Sequence, residues 1–186
     1  MMKHAKSTPH IALLRAVNVA GHGMVAMSDL RELVTKLGFA DARSLLQSGN
    51  LIFRSAGKTS EQVERLLEAE IEKRLGIRTD FFVRTAAELN EIIARNPFRK
   101  EAERDPAHLL ALFLKTQPGP NQIAALEAAI AGPERFRVDG RLAYVVYPDG
   151  IGKSKVTTAL LDRKLETRGT GRNWNTILKL AALVQE

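Results

Sequence analysis

Apolar residues along this chain alternate between short unbroken runs and three-four spacings, and the order of the two outlines a fold. Ile11 to Val17 is apolar and β-prone until Gly21-His22-Gly23 breaks it, which predicts a first strand. Leu30, Leu33, Val34 and Leu37 then form one helical stripe, with Ser28 as its cap and Gly38 as its stop. Ala42 to Leu46 and Leu51 to Phe53 read as strands around Gln47-Ser48-Gly49-Asn50, whose glycine and asparagine tolerate the left-handed backbone of a tight hairpin. Thr59 with Gln62, and Thr85 with Glu88, are capping-box patterns heading two further helices. The first carries Val63, Leu66, Leu67 and Ile71 and stops at Gly76; the second carries Leu89, Ile92 and Ile93 and stops at Asn96-Pro97. Ile77 to Val83 between them reads as a strand.

The first six elements therefore run β-α-β-β-α-β, the split order of a ferredoxin-like sandwich with helices on one face of its sheet. Residues 98–107 are polar and charged and read as a linker between halves at 1–97 and 108–186. Beyond them the pattern restarts. Leu109 to Leu114 is a strand, Pro120 to Ile130 a helix, and Phe136 to Val138 with Leu142 to Tyr147 a hairpin around Asp139-Gly140. A helix follows over Ser154 to Leu161, Leu165 to Thr170 supplies the last strand, and a closing helix begins at Asn173. The expected fold class is thus α/β: an α+β sandwich of two ferredoxin-like halves, antiparallel or mixed, alike in element order but not in repeated residues.

A chain of 186 residues buries roughly 70% of its unfolded surface and needs no staples. With no cysteine there is no disulfide, thiolate nucleophile or iron–sulfur ligation, and the four histidines have no metal-ligand spacing, so no metal or cofactor is expected. No signal-peptide core or membrane-length apolar run occurs, which makes the cytoplasm the default location. The formal charge is +7, favouring anionic partners. From Ile151 to Leu180 seven Lys and Arg face two acidic residues, although such a run commonly just solvates a surface.

Four segments are candidates for chemistry. Gly150-Ile151-Gly152-Lys153-Ser154 lies between a strand and a helix like a nucleotide-binding phosphate loop, but its first glycine is replaced by Tyr147 and Pro148 removes a donor. Lys153 and Ser154 remain candidate phosphate contacts. Gly21-His22-Gly23-Met24-Val25-Ala26 has dinucleotide-type glycine spacing in the wrong context, with Arg15 and Asn18 before it and His22 within it. Aspartates and glutamates fall mainly on helical surfaces beside Lys or Arg, the pattern of solvated faces. Gly169-Thr170-Gly171-Arg172-Asn173-Trp174-Asn175-Thr176 combines turn-forming glycines, an arginine suited to phosphate or carboxylate, a capping asparagine and the sole tryptophan. Trp174 has two readings, stacking on a planar ligand or packing in the core.

Leu13-Leu14-Arg15-Ala16-Val17-Asn18-Val19-Ala20-Gly21, Met27-Ser28-Asp29-Leu30, Gln47-Ser48-Gly49-Asn50, Asn96-Pro97-Phe98, Tyr147-Pro148-Asp149-Gly150 and Arg172-Asn173-Trp174-Asn175-Thr176 resemble successive motifs of the bacterial Domain of Unknown Function 1697 family. The resemblance covers almost the whole chain and implies an α/β fold of ferredoxin-like halves; it implies no established activity. Carried over position by position, it points to Arg15, Asn18, Gln47, Ser48, Asn50, Arg172, Asn173 and Asn175 as contacts of a family-wide ligand. Ala16 and Ala20 stand where the family usually has glycine, and Gly171 where it has threonine. The first expectation for function is a non-catalytic binding module for an anionic ligand, a nucleic acid or nucleotide. A metal-free small-molecule enzyme acting on a phosphate- or carboxylate-bearing substrate is the second. A protein–protein interaction module is the third.

Overall fold

The structure, a computed structural model, describes residues 7–15, 25–46 and 49–185. The chain divides into one unit comprising the residues up to Ile92 with those from Leu180 onward, and a second comprising Ile93–Lys179. The first unit contains β1 (Ser7–Leu14), α1 (Met27–Lys36), β2 (Ala40–Leu45), β3 (Asn50–Ala56), α2 (Ser60–Leu75) and β4 (Phe81–Thr85), with α3 (Ala86–Ala94) running from it to the boundary. The second contains α4 (Arg99–Arg104), β5 (Leu109–Leu114), α5 (Pro120–Ala129), β6 (Arg135–Asp139), β7 (Leu142–Val146), α6 (Thr158–Leu165) and β8 (Gly169–Asn173), and α7 (Trp174–Val184) continues from β8. Each unit has a four-stranded antiparallel sheet, in the orders β2-β3-β1-β4 and β6-β7-β5-β8. Numbered within its own half, each is 2-3-1-4, the ferredoxin-like arrangement expected from the element order.

The helices bury the stripes that define them. In the first unit Leu30, Val34, Val63 and Leu67 pack with Ala12 and Phe53 of the sheet. In the second, Leu126, Leu161 and Leu165 pack with Leu112, Val145 and Tyr147. Each such side chain contributes about 1.5–3 kcal/mol on burial. The opposite faces are buried too: Ile11, Leu13 and Phe82 in one sheet, Ala111, Phe113 and Tyr144 in the other. Burial on both sides explains why β5 reads Leu-Leu-Ala-Leu-Phe-Leu without a polar position.

Both capping boxes form. Thr59 and Gln62 cap α2 reciprocally, and the Thr85 and Glu88 side chains bond each other's backbone N–H at 3.1 and 2.7 Å. Four boundaries differ from expectation for local reasons. The first helix starts at Met27 after Ala26, which places Ser28 inside its first turn rather than at the cap. β4 begins at Phe81, because the preceding Thr79 and Asp80 are bonded to the Arg15 backbone. α6 begins at Thr158 with Thr157 as its cap, the Ser154 hydroxyl being held by Glu134 and the Val156 N–H instead. The last strand starts only at Gly169, since Leu165 ends α6 and Glu166 turns the chain at φ 53°. Residues 98–107, expected as a linker, hold α4 and most of a 3-10 turn, Pro106–His108.

Only the Thr85–Glu88 capping box signals in the sequence how β4 is finished. Its outward N–H groups at Phe81, Val83 and Thr85 donate to Glu68, Glu64 and Glu88 at 2.9, 2.9 and 2.7 Å. Glu64 also meets Arg84 at 3.4 Å, both side chains nearly buried. Glu64 and Glu68 are not on a solvated face as expected: with Glu88 they close an edge that would otherwise pair with another strand.

Candidate functional site

At one end of the first sheet, β1 runs into Arg15 beside the start of β4 and the tip of the β2–β3 hairpin. Leu14 N–H donates to Gly49 O at 2.8 Å and Arg15 N–H to Asp80 O at 3.0 Å, while the Arg15 guanidinium lies 3.8 Å from the Asp80 carboxylate. Gly49 has φ +72°, and a Cβ there would stand 2.9 Å from Leu14 Cβ, so the turn requires glycine. Topology thus brings Arg15 and Asn50 to one sheet end. Asn50 is fully buried, its amide donating to Leu45 O at 3.0 Å, which is the work of a hairpin clamp. Asn18, Gln47, Ser48 and His22 lie outside the described residues.

In the second unit, register gathers four segments at one end of the sheet. β5 opens at Leu109 opposite Val146, the last residue of β7, which is opposite Arg135, the first of β6; Leu110 is opposite Asn173, the last of β8. The turn Pro106–His108, the loop Tyr147 to Lys155, Glu134 and the Arg172–Asn175 motif therefore share that end. Tyr147 N–H donates to His108 O at 2.8 Å. Gly150, at φ +85°, passes close enough that a Cβ would stand 3.4 Å from His108 Nε2. His108 Nδ1 is 2.6 Å from Asp105 Oδ2 on a half-exposed surface, a pairing across the expected linker that the scattered histidines did not suggest.

The C-terminal motif is mostly committed to the fold. Gly169 and Gly171 lie in β8 rather than in a turn; a Cβ on them would meet Leu112 and Phe113 O at 3.0 Å or Leu110 at 2.9 Å, so they make room for the neighbouring strand. Arg172 sits opposite Ala111, on the Tyr144 side of the sheet, and donates to Thr170 Oγ1 and Gly171 O, both at 2.9 Å. Burial lowers its pKa to about 10, which leaves it charged at neutral pH. Asn173 caps α7 by accepting from Thr176 N–H at 3.0 Å. Trp174 is 3% exposed, its ring centroid 6.2 Å from that of Tyr144 in a tilted contact, which is core packing. Asn175 alone in this group is exposed with no such bond among the described residues.

Lys153 and Ser154 fall differently. They line a depression of about 430 Å³ with Lys155, Val156, Leu160, Glu134 and Asp149. The Ser154 hydroxyl is engaged by Glu134 and Val156 N–H, whereas Lys153 and Lys155 are exposed and carry no ion pair among the described residues. Tyr147 beneath the loop donates to Val156 O at 3.0 Å, its pKa raised to about 12 by burial and then by the Glu134 charge. The segment is not a nucleotide-hydrolase loop: Ile151–Lys153 is one 3-10 turn, and the next helix starts only at Thr158. Lys155 is the site residue that motif reasoning passed over, visible only as part of the basic run. Among the described residues no three of His, Asp and Glu are grouped to hold a metal ion, and no helix is long and apolar enough to cross a membrane.

Two ferredoxin-like halves, one carrying a lysine-flanked depression at its sheet end, define an α/β protein. The chain belongs to the DUF1697 family, described as proteins of unknown function, whose model matches residues 7–144. Its fold is similar to that of SP0830, a conserved bacterial protein from Streptococcus pneumoniae, with a TM-score of 0.73 at 20% identity over 96% of this chain and 99% of the other. No curated protein matches the chain.

Proposed function

We propose that this protein is a non-catalytic binding module for an anionic ligand, a nucleic acid or nucleotide, acting in the cytoplasm. The observation that carries the reading is the pair of exposed lysines, Lys153 and Lys155, which have no ion-pair partner among the described residues and line a depression of about 430 Å³. That volume suits a small ligand or one unit of a polymer. The overall charge of +7 adds long-range attraction. Anisotropy of a fluorescent nucleotide and a fluorescent oligonucleotide, titrated at low and high salt, tests it. Binding that weakens with salt and drops about tenfold in each of Lys153→Ala and Lys155→Ala is the expected result. No binding at low salt, or binding indifferent to both substitutions, would sink the proposal.

A second reading, a metal-free enzyme acting on a phosphate- or carboxylate-bearing substrate, draws support from Asp105 at 2.6 Å from His108 Nδ1. A carboxylate in that position orients the ring, leaving Nε2 toward a substrate near Gly150. Turnover of phosphate or carboxylate esters that disappears in His108→Gln supports this reading; turnover unchanged in His108→Gln excludes His108 from it.

A further inference from the structure

The two sheets end in the edge strands β2, β4, β6 and β8, and all but β6 are visibly interrupted. Glutamates meet β4, Asp162 meets the Gly169 N–H of β8, and β2 carries a bulge between Ala40 and Arg43 with Asp41 at φ 54°. β6 differs. Leu114 N–H donates to Arg141 O and Tyr147 N–H to His108 O, which marks the odd-numbered positions along β7 as those turned toward β5. Leu142, Tyr144 and Val146 therefore turn toward β6, where their partners are Asp139, Arg137 and Arg135. The N–H and C=O groups of Phe136 and Val138 are left pointing away from the sheet, and among the described residues neither has a bond on that side.

The side chains along this strand divide by face. Phe136 and Val138 pack on the core, while Arg135, Arg137 and Asp139 share the Tyr144 side. Arg135 pairs with Glu101 and lies 5.4 Å from the Phe98 ring centroid, and Asp139 pairs with Arg95 at 2.9 Å. Arg137 between them is exposed and carries no ion pair among the described residues. A depression of about 360 Å³ follows the strand, lined by Phe98, Arg135 and Arg137 from one face and by Ile130 and Phe136 from the other. Its acids are Glu127 and Glu134, the latter bonded by Ser154. Walls from both faces of one strand place the depression at that strand's outer edge, where side chains of an added strand alternate between the faces.

We infer that β6 is a docking edge for an extended acidic segment of another protein, which adds as a further strand, bonds the Phe136 and Val138 backbone and sets a carboxylate beside Arg137. In such additions main-chain bonds supply affinity and side-chain pockets supply selectivity. Charge chooses the occupant. A second copy of β6 laid antiparallel with Phe136 or Arg137 at its centre sets arginine against arginine. With Val138 at the centre, it offers Arg137 only an aspartate already held by Arg95. The arginines that defend the edge against self-pairing thus attract an acidic strand, and the formal charge of +7 acts in the same direction. The inference is independent of the anion-binding reading, since it uses neither Lys153 nor Lys155.

The test titrates the full chain with a short fluorescent peptide alternating glutamate and valine, with its lysine–valine counterpart, and with the glutamate peptide N-methylated at every backbone amide. The variants are Arg137→Gln, Val138→Pro and Lys153→Ala, each checked for unchanged circular dichroism. Because the Val138 N–H faces outward, proline there removes a docking donor and no bond of the sheet. Arg137→Gln leaves the backbone untouched and remains informative if the proline disturbs the hairpin. The glutamate peptide is expected to bind about tenfold more weakly to Arg137→Gln and to Val138→Pro and equally to Lys153→Ala. In the wild type it slows amide exchange at Phe136 and Val138, and the N-methylated peptide does not bind. Equal binding of the lysine peptide, or glutamate binding indifferent to both N-methylation and Val138→Pro, overturns the inference. Binding lost in Lys153→Ala but kept in both β6 variants moves the peptide to the other depression and overturns it. A dimer that Val138→Pro dissociates in sedimentation gives the edge to a second copy and also overturns it. Absence of binding by the glutamate peptide overturns it whatever the nucleotide titrations show.

Discussion

The two halves lay their strands in the same order, yet they finish the last strand in opposite ways. In the first, β4 turns three outward N–H groups toward Glu64, Glu68 and Glu88, whose carboxylates close the edge. In the second, a carboxylate also meets the edge of β8, Asp162 with Gly169 N–H, but the Lys153 and Lys155 side chains at the sheet end face solvent. The first half directs charge inward to complete a sheet, and the second directs it outward. Element order alone determines neither choice. It sets which backbone groups are left over, and side chains far away in sequence decide whether those groups are capped or a surface is charged.

The largest effect expected from this difference is at Glu64. Its carboxylate serves Val83 N–H and Arg84 from a nearly buried position. Glu64→Ala takes a carboxylate from both the Val83 N–H and the nearly buried Arg84 guanidinium, a loss of about 3–5 kcal/mol. Asp162 is half-exposed and accepts from the Gly169 N–H of β8; loss of that bond in Asp162→Ala costs about 1–3 kcal/mol. Urea denaturation of both variants ranks them; a loss at Asp162 equal to that at Glu64 would break the contrast between the two edges.

The hairpins sharpen it further. Gly49 and Gly140 each turn a β-hairpin with positive φ, +72° and +59°. A Cβ at Gly140 meets open space, while one at Gly49 collides with Leu14 at 2.9 Å. Gly140→Ala carries only the left-handed penalty, about 1–2 kcal/mol. Gly49→Ala adds an overlap inside the first sheet and is expected to lose about 3 kcal/mol. Equal urea midpoints for the two variants would mean that β1 yields to the hairpin tip, and that the Arg15–Asn50 sheet end is softer than its bonds imply.

Much of this architecture is legible in the chain because the signals are local. The capping boxes at Thr59 and Thr85, the stripe through Leu30, Leu33 and Val34, and the Asp139-Gly140 turn each depend on a few adjacent residues, and each forms. The candidate site is less legible. Arg172 and Trp174 are conspicuous by residue type, but a side chain's chemistry does not reveal whether its strand faces solvent; here one is tied to Thr170 and Gly171 and the other lies against Tyr144. Glu64 hides for the converse reason, being a charged residue on a helix whose buried role appears only when β4 is placed beside it. The Asp105–His108 pair likewise depends on a turn within what reads as a linker.

The smallest of these effects concerns the histidines, which the halves also use differently. His108 is on the surface, while His10 in β1 is fully buried against Phe53, with Nδ1 2.9 Å from Thr8 O and no partner for Nε2. Burial lowers the His10 pKa, outweighing the Thr8 hydrogen bond and the Glu88 charge that raise it. The folded protein therefore holds a neutral imidazole where the unfolded chain takes up a proton near pH 6.5. With the unfolded state binding more protons, stability is full above that pH and declines as pH falls below it, until His10 protonates in the folded state. Urea midpoints measured from about pH 7.5 down to about pH 5.5, above the range where most carboxylates titrate, isolate this contribution. His10→Gln, which cannot charge, is expected to flatten the dependence. If the slope instead survives in His10→Gln, a group other than the buried imidazole carries it, and burial of His10 in β1 is not what makes the fold pH-sensitive.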